Sequence, residues 1–394
     1  MAQLPNSAEE WETQAQVFGI QNLSIHDGDS RLSGSKMNVQ QFLLLRVFWP
    51  DPVRPSFLYQ RHVHRWVEPS YLNRSQSFLA SLPIKSAWSA YLRSIGKTPK
   101  LLCDEGFVGL QTFTLVRYHQ IQSLDPEFEA DTELAKVDVT PIARRTRAQV
   151  ARAERPSTPT PSTNNAPVID LLAKMGIGES PNTPVIDSSP DWQTPIEAFS
   201  PFTEYVTDQF KAIQDEQIVN TALILYLNAL TIHFPDLQAD WTLHRRAFVS
   251  LNKAMEKTYE ARVDGFLKRR RDKEPLIILE VKPFQRYKKP SGIRMQESAQ
   301  MAAWISQHPP RDLQDMRSNS KKGHRLLISQ DRHEIYLTFG QFDAAYLDYI
   351  RHRAPGSSFL VMNEYGPFDI GQEKHMEYLG EIVLGFALQA CDSM

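Results

Sequence analysis

A tract rich in proline, serine and threonine interrupts this chain near its middle. Residues 144–200 are first basic and then dominated by these small and rigid residues, with four prolines within 156–167. Proline breaks a helix, and the tract has few large apolar residues to offset the entropy of ordering. The sequence therefore predicts a disordered linker over 144–200, with a separate N-terminal module at 1–143 and a second domain at 201–394.

The composition is that of a folded protein. The chain has 394 residues, of which 41% are hydrophobic and 23% are charged, which argues against disorder along the whole chain. No run of about 18 apolar residues occurs, so we expect no transmembrane helix. The first residues include acids and lack the basic and then apolar pattern of a secretory signal peptide. Cys103 and Cys391 are too few for a disulfide framework or a cysteine-rich zinc site. We therefore expect an intracellular protein, nuclear or cytoplasmic, with no membrane partner.

The N-terminal region is rich in aromatic residues and leucine and carries no chemical motif. Its clearest local pattern is Gly106–Tyr118, whose β-branched and aromatic residues predict a strand or hairpin. We expect a module of mixed α+β structure whose role the sequence does not define. A protein partner that binds through this module or through the linker remains an alternative role.

The C-terminal region shows alternating helical and strand patterns. A long apolar stripe with spacings of three and four predicts a helix over Val206–Thr231. The following order is three strands, a helix, further strands and a closing helix, which indicates an α/β fold around a mixed sheet. The predicted strands are Trp241–Val249, Tyr259–Leu267, Pro275–Val281, Leu326–Ser329, Glu334–Phe339 and Phe359–Asn363, and the predicted helices are Gln296–Ser306, Phe342–His352 and Glu373–Ala390.

Positive charge is concentrated in one window of an otherwise acidic chain. Residues 245–294 contain 15 Lys and Arg against 6 Asp and Glu, although the whole chain has a net charge of −2. Such a surplus is the electrostatic pattern of a protein that binds a phosphate-rich partner. The alternative is a solvated face together with a nuclear-import run at Lys268–Arg271.

The sharpest feature lies inside that basic window. Glu280 and Lys282 are two residues apart at the end of an apolar strand, so both side chains project from the same face. Val281 between them points to the opposite face, into the core. Asp264 lies 16 residues before Glu280 in another strand-like run. The intervening basic turn lets the two strands pair in antiparallel fashion and brings Asp264 beside Glu280.

Two carboxylates in such proximity repel each other unless a cation lies between them. A hard divalent cation with oxygen ligands suits Asp264 and Glu280, and the Val281 carbonyl can add a further oxygen. Lys282 could then polarise the attacking water or stabilise charge on a phosphodiester. The alternative is a structural ion pair between Glu280 and Lys282 at a strand end.

These segments resemble the PD-(D/E)XK nuclease superfamily, and most closely the nuclease-like domains found in fungal proteins. The motif is VDGFL, a basic turn and ILEVKPFQR, and the resemblance covers roughly residues 202–390. It implies a restriction-endonuclease-like core in α-β-β-β-α-β order, with Asp264, Glu280 and Lys282 at the motif positions. Val263 stands where the strict pattern has proline.

The resemblance implies further site residues on the flanking helices. Glu216 fits the acidic position of the preceding helix, and Asp215 is the alternative. Gln300 fits the polar position of the following helix, with Gln296 one turn before it. The implied cofactor is Mg²⁺ or Mn²⁺, held by Glu216, Asp264, Glu280 and the Val281 carbonyl, and the implied catalytic residues are Asp264, Glu280, Lys282 and Gln300.

Four basic residues follow the motif within a short distance: Arg286, Lys288, Lys289 and Arg294. They are expected to form a rim that grips phosphates of a nucleic acid, with DNA favoured over RNA. The alternative is a solvated loop.

The function that the sequence favours is a metal-dependent nuclease, in which a metal-activated water hydrolyses a phosphodiester bond. The two alternatives are a catalytically inactive nucleic-acid-binding module with a nuclease fold and a protein-interaction scaffold.

Overall fold

The computed structural model describes residues 3–26, 32–82, 84–96, 109–124, 201–251, 256–311, 313–351, 356 and 358–393, with the backbone alone over 201–215. The predicted linker at 144–200 lies outside these residues. Among the described helices, none is both long and apolar enough to cross a bilayer.

Helices and strands alternate along the described ranges. The α-helices are α1 Ala8–Val17, α2 Val39–Leu44, α3 Pro55–Phe57, α4 Val63–Trp66, α5 Pro69–Leu79, α6 Lys85–Ser94, α7 Thr114–Leu124, α8 Pro201–Thr231, α9 Pro290–Gln307, α10 Leu313–Ser318, α11 Ala344–Ile350 and α12 Glu373–Ser393. The strands are β1 Leu32–Ser33, β2 Val47–Phe48, β3 Ala239–Thr242, β4 Arg246–Leu251, β5 Lys257–Val263, β6 Gly265–Arg269, β7 Pro275–Lys282, β8 Gly323–Asp331, β9 Glu334–Phe342 and β10 Leu360–Asp369. A π-helical turn covers Leu58–His62, and 3₁₀ helices cover Gly34–Lys36, Gln111–Phe113 and Arg286–Lys288.

A mixed sheet organises the described part of the chain, as the sequence predicts. Seven strands lie in the order β2-β10-β9-β8-β7-β6-β3. The central pair β7 and β8 is parallel, and helix α9 connects the two strands along the chain. Seven of the eight residues of β7 are buried, because a parallel strand covered on both faces needs apolar side chains on both of its faces.

Helix α9 packs between this sheet and a second, smaller one. The smaller sheet has the order β1-β5-β4. The buried stretch of α9 contains Ala299, Ala302 and Ala303, and these small residues let strands and helix approach closely. A Cβ atom added to Gly34 would lie 3.2 Å from the Cβ of Ala299. Close packing at Ala299 therefore holds α9 against the 3₁₀ turn that follows β1.

The opposite face of the large sheet is covered by α8, α12 and helices of the N-terminal region. The predicted apolar stripe of α8 is confirmed, because Val219, Leu223, Leu227 and Leu230 are all buried in one core cluster. Val281 belongs to the same cluster, so it points away from α9 as the sequence predicts.

The N-terminal region is part of the same compact unit as the C-terminal region, and the prediction of a separate module at 1–143 is wrong. Residues 1–133 and 211–394 form one unit, and β2 pairs with β10 at the edge of the large sheet. Trp66 donates a hydrogen bond to the Tyr365 hydroxyl at 2.9 Å and stacks on Phe339. The apolar residues of the N-terminal helices therefore serve to cover the sheet.

The strand or hairpin predicted over Gly106–Tyr118 is also wrong where the structure describes it. Residues 111–113 form a 3₁₀ helix that continues into α7. Phe113 and Val116 are buried in the core cluster beneath the large sheet. Packing of these two side chains against neighbouring helices overrides the local β propensity.

Candidate active site

Asp264 occupies a break between two strands that belong to different sheets. The run predicted as one strand, Tyr259–Leu267, divides here into β5 of the small sheet and β6 of the large sheet. The predicted strand Trp241–Val249 divides in the same way, into β3 and β4. Gly265 allows the close approach at the break, since a Cβ atom there would lie 2.6 Å from the Thr242 carbonyl oxygen. The carboxylate of Asp264 consequently sits where the two sheets separate.

The register of β6 and β7 brings Asp264 beside Glu280, as the sequence predicts. Gly265 pairs with Leu279, and the Asp264 amide donates to the Leu279 carbonyl at 2.9 Å. The Val281 amide in turn donates to Asp264 Oδ2 at 3.1 Å. This hydrogen bond ties the Asp264 side chain to the segment that carries Glu280.

Glu280 is a buried carboxylate held by three donors. Its side chain is 2% exposed, and it accepts hydrogen bonds from Lys282 Nζ and, at 2.5 Å each, from Gln296 Nε2 and Gln300 Nε2. Burial raises the pKa of Glu280 to about 8, because the cost of desolvation and the repulsion from Asp264 exceed the stabilisation by Lys282 and Gln300. Desolvation is the largest of these effects, so the folded protein favours the protonated form of Glu280.

Lys282 stays cationic at neutral pH. Burial by itself would lower the pKa of this ammonium group, but Glu280, Asp264 and Glu216 together raise it above its ordinary value. The side chain is 17% exposed, so a part of it reaches the surface. The site thus has a permanent positive charge next to its carboxylates.

Two glutamines of α9 orient Glu280. Gln296 and Gln300 lie one turn apart and contact different oxygens of the carboxylate. The Gln300 amide also donates to the Arg262 carbonyl at 2.7 Å, whereas its buried Oε1 has no hydrogen-bond partner in the described part of the chain. An acceptor left without a donor beside a carboxylate is chemically suited to a cation.

Glu216 reaches the site from α8 and shares a cation with Asp264. Arg245 Nη2 lies 2.7 Å from Glu216 Oε1 and 3.1 Å from Asp264 Oδ1. Burial and the charge of Asp264 raise the pKa of Glu216, while Lys282 and Arg245 oppose that shift. The structure therefore gathers Glu216, Asp264, Glu280 and Lys282, and it adds Arg245, which sequence reasoning did not identify.

The oxygen-rich donor set has the chemistry that Mg²⁺ or Mn²⁺ requires, although its side chains now pair with cationic groups. Within the described ranges, no group of three or more His, Cys, Asp and Glu side chains is arranged to hold a metal ion. Arg245 bridges Glu216 and Asp264, and Lys282 bonds to Glu280. Hard oxygen donors, among them the unpartnered Gln300 Oε1, would suit such a cation.

A second charged cluster lies next to the site and is fully buried. Arg286 is 3% exposed and contacts Asp331 at 2.7 Å, Glu297 at 2.5 Å and Glu364 at 2.5 Å. Arg294 also pairs with Glu364, at 2.8 Å. The expectation that Arg286 belongs to an exposed phosphate-binding rim is wrong, because buried carboxylates occupy its guanidinium. The Arg294 guanidinium likewise binds the Glu364 carboxylate instead of an external phosphate.

This second cluster sits beside Lys282 through the sheet register. Asp331 of β8 is the register partner of Lys282, just as Ser329 is the partner of Glu280. In-register residues of neighbouring strands share a face, so β7 and β8 both place polar side chains two residues apart under α9. Burial raises the pKa of Asp331, and raises that of Glu297 to about 7. The polar pair Ser329 and Asp331 in the motif ISQD was the sequence signal for this cluster.

The other predicted basic residues differ in accessibility. Lys289 is exposed, with its ammonium 5.3 Å from the Phe284 ring, and Lys288 is half-buried. At the end of β6, Arg269 is buried against Asp272 of the following turn, with hydrogen bonds of 2.8 and 2.7 Å. Part of the positive charge of residues 245–294 therefore belongs to internal ion pairs.

Comparisons with known proteins returned no match. Neither a scan against protein-family models nor searches of the curated proteins and of the solved structures found a similar protein.

Proposed function

We propose that this chain is a metal-dependent nuclease that hydrolyses phosphodiester bonds of nucleic acid, with DNA as the preferred substrate. The observation that carries the proposal is the juxtaposition of Asp264, Glu280 and Lys282 at the adjoining ends of β6 and β7. A buried carboxylate with a raised pKa beside a second carboxylate and a lysine is a costly arrangement, and such arrangements concentrate at functional sites.

Each residue has a role that its contacts support. Glu216, Asp264, Glu280 and the Val281 carbonyl would hold Mg²⁺ or Mn²⁺. When bound, such a cation supplies a Lewis acid that neutralises phosphate charge and lowers the pKa of water. Gln296 and Gln300 fix the orientation of Glu280.

Lys282 supplies the positive charge for the reaction. It lies beside Glu280, keeps its proton at neutral pH and is partly exposed. A preorganised ammonium in a mostly buried site stabilises negative charge that develops on the phosphate or on the attacking oxygen. Lys289 is the exposed residue of the predicted rim, and we assign it a contact with the nucleic-acid backbone.

The second candidate is a catalytically inactive nucleic-acid-binding module. It is favoured by one observation, the pairing of Glu216 and Asp264 with Arg245 in a site that has no three-carboxylate metal group within the described residues. In this function the carboxylates would be neutralised permanently by side chains.

A cleavage assay separates the two functions. The full chain is incubated with single- and double-stranded DNA and with RNA, in Mg²⁺, Mn²⁺ or a chelator. We expect cleavage that requires the metal and is abolished in Glu280→Gln, which keeps the side-chain shape and removes its charge. Glu377→Gln, in an exposed ion pair of α12, is the matched control and should cleave as wild type does. Binding of nucleic acid without cleavage under every condition would favour the binding module.

A further inference from the structure

Arg245 lies in an exposed turn that spans the two sheets. Residues 243–245 connect β3 of the large sheet to β4 of the small sheet. From this turn the Arg245 side chain reaches back to Glu216 on α8 and to Asp264 at the break between β5 and β6. It therefore bridges two carboxylates that come from different elements of the fold.

The Arg245 guanidinium contributes one of the positive charges that balance the carboxylates of the site. Once Glu280 has released its proton, the carboxylates of Glu216, Asp264 and Glu280 face the cations of Lys282 and Arg245. The set is short of one positive charge. Removal of the Arg245 guanidinium leaves two uncompensated negative charges, which one divalent cation would neutralise, whereas a divalent cation bound beside the guanidinium would repel it.

We infer that the Arg245 guanidinium competes with the divalent cation for the carboxylates of Glu216 and Asp264. The guanidinium pairs with these carboxylates when the cation is absent and leaves them when the cation binds. This inference rests on the proposed function, since it concerns the cation of the same site. Departure requires only rotation of a side chain that is 52% exposed. The Glu216 side chain is 34% exposed and the Asp264 side chain is 10% exposed. The guanidinium therefore leaves toward the solvent on the side of Glu216.

The competing explanation is that Arg245 is a structural ion pair. Arg270 and Asp240 offer a matched example, because Arg270 is 51% exposed and its guanidinium lies 2.8 Å from the Asp240 carboxylate on the neighbouring strand. A structural pair of this kind contributes little to stability at the surface. It also has no reason to alter the affinity of the protein for a metal ion.

Calorimetric titration of the full chain with Mn²⁺ tests the inference without reference to catalysis. Arg245→Gln should bind Mn²⁺ more tightly than wild type by about tenfold, the effect of removing one competing charged hydrogen bond. Arg245→Lys, which keeps the charge, should bind more weakly than Arg245→Gln. Arg270→Gln should bind as wild type does. Free guanidinium carries the group that Arg245→Gln lacks. Guanidinium chloride should therefore weaken Mn²⁺ binding to Arg245→Gln more than KCl does at the same concentration.

Each result has a definite meaning. An equal or weaker affinity in Arg245→Gln overturns the inference, and it leaves the nuclease function in place if the wild type cleaves DNA with metal. Tighter binding without cleavage of any nucleic acid retains the inference and overturns the nuclease. Absence of Mn²⁺ binding in both wild type and Arg245→Gln overturns both.

Discussion

At the scale of single residues, Glu280 has the most unusual electrostatic environment in the site. Its carboxylate is enclosed by β7, by two amides of α9 and by the ammonium of Lys282. Burial still raises its pKa to about 8. Folded protein therefore retains a proton on this group at pH values where the unfolded chain has released it.

This retained proton makes stability depend on pH. Between the ordinary glutamate pKa and about pH 8 the folded state binds more protons, so the free energy of unfolding falls as pH rises. Glu297, whose pKa is raised to about 7, acts in the same direction. Urea unfolding at pH 5, 6, 7 and 8 measures this dependence. The free energy of unfolding should fall less steeply with pH in Glu280→Gln than in wild type, and the two slopes should differ by up to about 1.4 kcal/mol per pH unit. The exposed-pair control Glu377→Gln should retain the wild-type slope, and an unchanged slope in Glu280→Gln would contradict the assignment.

The sequence predicts part of this residue-level arrangement and misses another part. The E-V-K spacing on an apolar strand and the upstream D-G predict the proximity of Asp264, Glu280 and Lys282, because strand alternation and antiparallel pairing are local rules. Arg245 and Arg286 escape prediction, since their partners lie on elements distant along the chain and no local periodicity indicates them. The basic composition of its segment predicts that Arg286 is exposed, whereas three buried carboxylates bind its guanidinium.

At the scale of elements, the break at Asp264 depends on Gly265. The sequence predicts one continuous strand through this region, because its apolar and β-branched residues give no local signal for a change of sheet. In the structure the strand leaves the small sheet before Asp264 and enters the large sheet after it. The close approach of Gly265 to the Thr242 carbonyl makes this crossing sterically feasible.

Substitution of Gly265 tests that account. Gly265→Ala would place a Cβ atom 2.6 Å from a backbone oxygen, and relief of this clash should cost about 1–3 kcal/mol of stability. Urea unfolding measures the change. Gly292→Ala is the control, because a Cβ atom there meets nothing within 4 Å and the residue lies in α9. That control should be neutral or more stable by up to about 1 kcal/mol. Equal stabilities for the two variants would refute the steric role of Gly265.

At the scale of the whole molecule, the N-terminal region completes the core on one face of the large sheet. The hydroxyl of Tyr59 donates to Glu381 on α12, and Gln389 on α12 bonds to the Trp66 carbonyl and the Glu68 amide. The proline-rich tract predicts a division of the chain, and nothing in the local sequence indicates this packing. Long-range contacts across such a tract leave no local signature.

Expression of the two parts tests this integration. We expect residues 201–394 produced alone to aggregate or to lack cooperative unfolding, because apolar surface normally covered by α5 and α6 becomes exposed. Co-expression with residues 1–143 should restore a soluble complex of the two polypeptides, which size-exclusion chromatography detects. If residues 201–394 alone unfold cooperatively with the same melting temperature as the full chain, the N-terminal region is not part of a shared core.

The most direct test of the proposed nuclease is a comparison of metal affinity and cleavage rate in Lys282→Ala. This variant removes the ammonium and retains the oxygen donors of Asp264 and Glu280. We predict that Mn²⁺ binding in calorimetry is retained or tightened, while single-turnover cleavage of DNA falls by about 100-fold or more. Lys374→Ala, in an exposed pair on α12, should change neither quantity. Cleavage by Lys282→Ala at the wild-type rate would contradict the proposed catalytic role of Lys282.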